Sequence, residues 1–133
     1  MQKNSLYIID RDFNNRVLLP VLKHHAMPVI KIFCSQRPEP EAVDSLAQAL
    51  RTLCLNPFGA HPEAIEVLLM DRAQILDGMP VFVEIHYRDR PDRRGAVLSQ
   101  FLKGVDEAVQ AAFAQLPRIR SYAVDQSTLG AVR

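Results

Sequence analysis

Apolar positions fall into two kinds of run along this chain: short stretches suited to strands, and longer stretches with helical spacing. The two kinds alternate. The pattern is written twice. Met27-Pro28-Val29 opens the apolar run to Cys34, and Arg37-Pro38 closes it. Met79-Pro80-Val81 opens the run to Tyr87, and Arg90-Pro91 closes that one. Each copy leads into a helical pattern and then a further short apolar run. A repeat of this size is a single supersecondary unit that cannot bury its own apolar face, so the two copies are expected to pack together.

In the first unit the predicted strand is Val29 to Cys34. Lys31 apart, it is apolar on both faces, as is the stretch from 81 to 85, so both are expected to be covered on both sides. Pro38, Glu39, Pro40 and Glu41 begin a helix, because proline is tolerated in a first turn and acidic groups there suit the helix dipole. Val43, Leu46, Ala47, Leu50, Leu53 and Cys54 give that helix one apolar stripe, and Asn56-Pro57-Phe58-Gly59 stops it. Ala64 to Met70 is the next predicted strand, and Asp77-Gly78 marks the turn into the second unit.

The second unit repeats the plan. A strand from Val81 to Tyr87 precedes a helix expected over about Arg93 to Gln115, with Val97, Phe101, Val105 and Val109 on its stripe. Gly95 and Gly104 weaken it by up to about 1 kcal/mol each relative to alanine. Leu116-Pro117 ends it, and Ile119 to Val124 alternates as a last strand before a polar tail expected to cover an edge or a neighbouring subunit. Residues 1–26 have no counterpart in the repeat. Within them Leu6 to Ile9 reads as a short strand, residues 10–15 as a turn and Val17 to Leu22 as an apolar patch. The expected fold class is α+β: a tandem β-α-β repeat making a four-stranded mixed sheet with two helices on one face. Residues 27–133 form the domain, with units of about 27–70 and 79–125, behind a leader or extension of residues 1–26.

Composition narrows the functional classes. The chain has 133 residues, 48% of them apolar, enough for one domain with a core. Sixteen basic and fifteen acidic side chains leave a formal net charge of +1, which argues against a nucleic-acid partner or a membrane surface. No apolar run approaches the roughly 20 residues of a membrane span. Cys34 and Cys54 lack metal-ligand spacing and suggest no disulfide framework, so a cytoplasmic location is expected. His24-His25 lacks further ligands placed by spacing, so no metal or other cofactor is called for.

The doubled Met-Pro-Val strand, each copy running into an arginine near its end, resembles the tautomerase superfamily. That group includes 4-oxalocrotonate tautomerase (4-OT) and macrophage migration inhibitory factor, and the likeness covers residues 27 to about 125. The resemblance implies a homotrimer with sites between neighbours, a small keto–enol or carboxylate-bearing substrate, and catalysis by an N-terminal proline, here Pro28. The chemistry needs a free amine. An α-amino group has a pKa of about 8, which desolvation or nearby cations lower towards a useful base. Acylated by a preceding residue, the nitrogen is an amide and no base. Pro28 can therefore act only in a chain that begins there, and whether translation starts at Met1 or Met27 stays open.

Arg37 is the implied carboxylate anchor, with Arg90 as its twin in the repeat and Lys31 as a further cation. Glu84 and His86, with Tyr87, stand on the second-unit strand where they can enter a site, although a plain alternating strand face accounts for them equally. Arg37 and Arg90 equally suit solvated loop positions before prolines. Two other readings remain: a ferredoxin-like binding module of the same element order, and a tautomerase-fold scaffold silenced by its leader.

Overall fold

A computed structural model describes residues 27–132. The strand, turn and apolar patch expected within residues 1–26, and His24-His25, lie outside the described residues. Strand β1 (Val29–Cys34) leads to helix α1 (Pro40–Leu55). A short 3-10 turn at Pro62–Ala64 precedes β2 (Glu66–Met70). The second unit runs from β3 (Val81–Arg88) through a 3-10 turn at Pro91–Arg93 to α2 (Ala96–Phe113) and β4 (Pro117–Val124). The four strands form one mixed sheet in the order β2-β1-β3-β4. Within each unit the strands are parallel (β1 with β2, β3 with β4), and the units join through antiparallel β1 and β3.

Both helices pack on one face of the sheet. Leu46, Leu50 and Cys54 of α1 repeat every fourth residue, as do Phe101, Val105 and Val109 of α2, and these six are buried. They meet Ile30, Ile32 and Cys34 of β1 and Val81, Val83 and Ile85 of β3 in a single core. Each such side chain is worth about 1.5–3 kcal/mol of burial. One residue of this core comes from the stretch read only as a helix stop. Phe58 is fully buried, stacked on Phe101 at 4.0 Å and edge-on to Tyr87 at 5.1 Å.

Three expectations are corrected. The second helix begins at Ala96 rather than Arg93, because Gly95 takes φ 62 and ψ −126, a left-handed conformation that only glycine adopts cheaply. Ala64 belongs to a 3-10 turn, and β2 starts at Glu66. The sheet is also less apolar on its open face than expected. The helix-facing positions of β1 and β3 are buried, but the alternate positions are half-buried and include Lys31, Glu84 and His86 among Val29, Phe33 and Phe82.

Gly104 is explained by packing. A Cβ placed there would stand 2.6 Å from Leu53 Cδ2 and 3.0 Å from Cδ1, so any side chain at this position must push the end of Leu53 aside. Alanine would gain up to about 1 kcal/mol of helix propensity. It would also overpack the helix contact, which costs about 1–3 kcal/mol. Gly104→Ala is expected to destabilise the protein by about 1 kcal/mol, read as a lower urea midpoint at unchanged m-value. A raised midpoint would mean that Leu53 yields freely.

Candidate functional site

Because β1 and β3 run antiparallel, the start of β1 lies beside the end of β3. Val29 pairs with His86, so the register carries Pro28 to the level of Tyr87. Pro28 is buried, and its carbonyl accepts a hydrogen bond from Glu66 N at 3.1 Å, which ties the start of β1 to the start of β2. From the last residue of β3 onward the sequence supplies four arginines and two aspartates in the run Arg88-Asp89-Arg90-Pro91-Asp92-Arg93-Arg94.

These groups sort into three kinds. Arg94 and Asp89 form a two-pronged exposed pair at 2.9 and 3.0 Å, and the Arg94 hydrogen bonds hold the Asp89 carboxyl below its ordinary range. Arg90 pairs the same way with Asp92, at 3.0 and 2.6 Å, and also donates to Gly59 O at 3.5 Å. That pairing lowers the Asp92 carboxyl and raises the Arg90 guanidinium. Arg93 is different. It is 2% exposed, and its guanidinium donates to Phe58 O at 3.0 Å and Arg88 O at 3.2 Å while lying 4.7 Å over the Phe58 ring. Burial, then Arg90, pushes it down to about 10, which leaves it charged at neutral pH. It fastens the loop after α1 to the end of β3.

Arg88 is 9% exposed, and it takes the open-face alternation of Phe82, Glu84 and His86. Burial, then Arg90, lowers its guanidinium. Further along that face the side chains form a polar strip. His86 Nε2 stands 3.2 Å from Glu84 Oε1 and Lys31 Nζ stands 3.9 Å from the same oxygen. The His86 ring stacks on Tyr122 at 5.1 Å. Arg120 is the β4 register partner of Glu84.

Arg37 is at the other end of the sheet. It lies beyond the last residue of β1, exposed, with Nη1 3.5 Å from Asp71 Oδ2. A six-residue strand spans about 20 Å, so Arg37 and Pro28 of one chain cannot hold the same small ligand. Arg90, by contrast, shares the Pro28 end, and Lys31, Glu84 and His86 occupy the middle of the open face. Pro80 is the pseudo-equivalent of Pro28 and lies at the Arg37 end. Sequence reading missed Arg88, Arg93 and Phe58. The dense alternating charge of residues 88–94 was the available signal, but such runs ordinarily mark solvated surface.

Among the described residues no cluster of three His, Cys, Asp or Glu side chains could hold a metal ion, and no helix is long and apolar enough to cross a membrane. Both cysteines are free and buried. Desolvation pushes the Cys54 thiol up to about 12 and raises Cys34 as well, so neither is a thiolate at neutral pH.

The fold has clear relatives among solved structures. A fused 4-OT wild-type symmetric trimer matches with a TM-score of 0.63 at 15% identity, over 77% of this chain and 90% of that one. The Toxoplasma gondii macrophage migration inhibitory factor matches with a TM-score of 0.63 at 13% identity, over 77% and 95%. Pt0534 inactivated by 2-oxo-3-pentynoate matches with a TM-score of 0.63 at 10% identity, over 77% and 90%. No family model matches the sequence, and no curated protein matches it.

Two outcomes are expected. Arg93→Met removes the donor for two carbonyls and the cation over Phe58, and should cost about 2–4 kcal/mol in chemical denaturation. Arg93→Lys should recover only part of this, since one ammonium cannot reproduce the planar fork. A thiol reagent at pH 8 should label neither cysteine in the native protein and both after unfolding; fast native labelling would contradict their burial.

Proposed function

Because this chain carries the tautomerase fold, we propose that a form of it beginning at Pro28 is a proton-transfer enzyme acting on a small keto–enol or carboxylate-bearing substrate. The observation that carries the reading is the company Pro28 keeps. The start of β1, where the amine would stand, lies against the cation-rich end of β3. Burial and nearby guanidinium charge both disfavour the protonated amine, and both act towards a base poised near neutral pH. The base takes a proton from the carbon beside the carbonyl and returns it at the other end of the enol system. A cation beside it stabilises the oxyanion that develops between the two transfers.

The cations are assigned by reach. Arg90 and Arg88 serve the Pro28 of their own chain. Arg37 can serve only the Pro28 of another copy, which fits an assembly with sites between neighbours. We assign that assembly as a homotrimer. Its support is the half-buried open face of the sheet, with Val29, Phe33, Phe82 and Tyr122 around the Lys31–Glu84–His86 strip, together with the trimeric state of the fused 4-OT. Proton transfer of this kind requires no cofactor.

A second reading rests on the covalent structure. In the full sequence Met27 acylates Pro28, and an amide nitrogen has no available lone pair. The full chain is then an oligomeric protein of this fold without the base.

Four measurements test the proposal. A chain starting at Pro28 should ketonise phenylenolpyruvate, and the full chain should be inert or nearly so. Equal activity in both would remove Pro28 as the base and direct attention to Glu84 and His86. The ynoate that inactivates Pt0534 should add its mass to the Pro28 peptide of the short form only. In that form Arg37→Ala and Arg90→Ala should each raise KM about tenfold or more, the effect of one lost charged hydrogen bond of about 1.5–3 kcal/mol. Sedimentation should report three chain masses, and a monomer at micromolar concentration would remove the role given to Arg37.

A further inference from the structure

Of the cations at the Pro28 end, Arg90 is held in one orientation by its neighbours. A guanidinium meets planar acceptors along two edges, one between Nε and Nη2 and one between the two Nη nitrogens. Asp92 occupies the first edge, with Nε donating to Oδ1 at 3.0 Å and Nη2 to Oδ2 at 2.6 Å. Nη2 also donates to Gly59 O at 3.5 Å, which takes half of the second edge. Among the described residues, Nη1 is the Arg90 nitrogen left without an acceptor. Gly59 is itself well fixed. Arg93 donates to the carbonyl of the preceding residue, Phe58, and where the same loop enters β2 the Glu66 N–H holds the Pro28 carbonyl. A Cβ at Gly59 would stand 3.5 Å from Arg90 Nη2 and 4.0 Å from Asp92 Oδ2, so the pair lies against the backbone of this loop.

We propose that Asp92 is a positioning residue, which holds Arg90 by one edge so that Arg90 meets the substrate through Nη1 alone and takes a single oxygen. A carboxylate gripped in two prongs needs a whole edge, and Arg90 has none open. Arg37 has one, because its contact with Asp71 uses only Nη1, at 3.5 Å. The oxygen left for Arg90 is the one that gains charge as the proton leaves the neighbouring carbon. A donor held in place beforehand stabilises that charge without reorganising during the reaction. As a contribution to stability the exposed pair is worth little. What it sets is direction. Without the Asp92 carboxylate, Arg90 turns a full edge to the substrate carboxylate, which favours the ground state and takes the donor away from the oxyanion. The role rests on the proton-transfer reading of Pro28.

Steady-state kinetics of the chain starting at Pro28, with phenylenolpyruvate, test this. Asp92→Asn should lower kcat about tenfold and leave KM unchanged or a few-fold lower. Asp92→Glu, which keeps a carboxylate for Arg90, should recover most of the loss. A role confined to folding would lower the urea midpoint of Asp92→Asn, which should instead match the wild type. Nitrogen-15 spectra of the full chain give a readout that needs no activity. The Nη1 and Nη2 signals of Arg90 should be separate in the wild type, where Asp92 stops rotation about the Nε–Cζ bond, and merged in Asp92→Asn. In an active short form, unchanged kcat or a raised KM for Asp92→Asn overturns the proposal and leaves Pro28 as the base. Merged Arg90 signals in the wild type overturn it equally. An inactive short form removes the Pro28 reading and this role with it.

Discussion

Everything in this molecule depends on the antiparallel contact between β1 and β3. Each β-α-β unit makes only a two-stranded parallel sheet with one helix over it, and neither can enclose a core alone. The contact turns the two into one sheet with one core, in which Ile30 and Ile32 meet Val83 and Ile85 under both helices. It also fixes the chemistry by direction. The start of β1 is brought beside the end of β3, so Pro28 comes level with Tyr87 where the run of arginines begins, and Pro80 is carried to the end where Arg37 lies.

That direction was the part the sequence could not display. Reading the two copies in parallel places each proline with the arginine that follows it, and so joins Pro28 to Arg37 in thought. The elements themselves were legible because their apolar spacing is strong. The four strands and both helices stand close to where periodicity puts them, and the α+β architecture with helices on one face follows from the doubling. The errors have local causes. Arg93 and Arg94 suit a helix well enough to hide the left-handed Gly95 behind them. Phe58 sat inside a four-residue stop signal, where an aromatic looks incidental, yet its ring lies between Phe101, Tyr87 and Arg93.

Arg93 illustrates the general difficulty with charge. An alternating run of arginine and aspartate normally means surface, and for Arg90, Asp92, Arg94 and Asp89 it does. Those four neutralise one another in pairs of modest value, since exposed ion pairs contribute about 0–1 kcal/mol. Arg93, one residue from Asp92, is instead buried on backbone carbonyls and an aromatic face, where its loss would strand two acceptors. The same seven residues therefore combine solvated pairs with a structural bolt, and only the fold separates them.

The close approach at Gly104 has a consequence for how the molecule can move. With Leu53 seated where a methyl group would stand, the two helices interlock at that point, and sliding one along the other would have to move the Leu53 side chain. The helical layer therefore behaves as a single plate riding on the sheet.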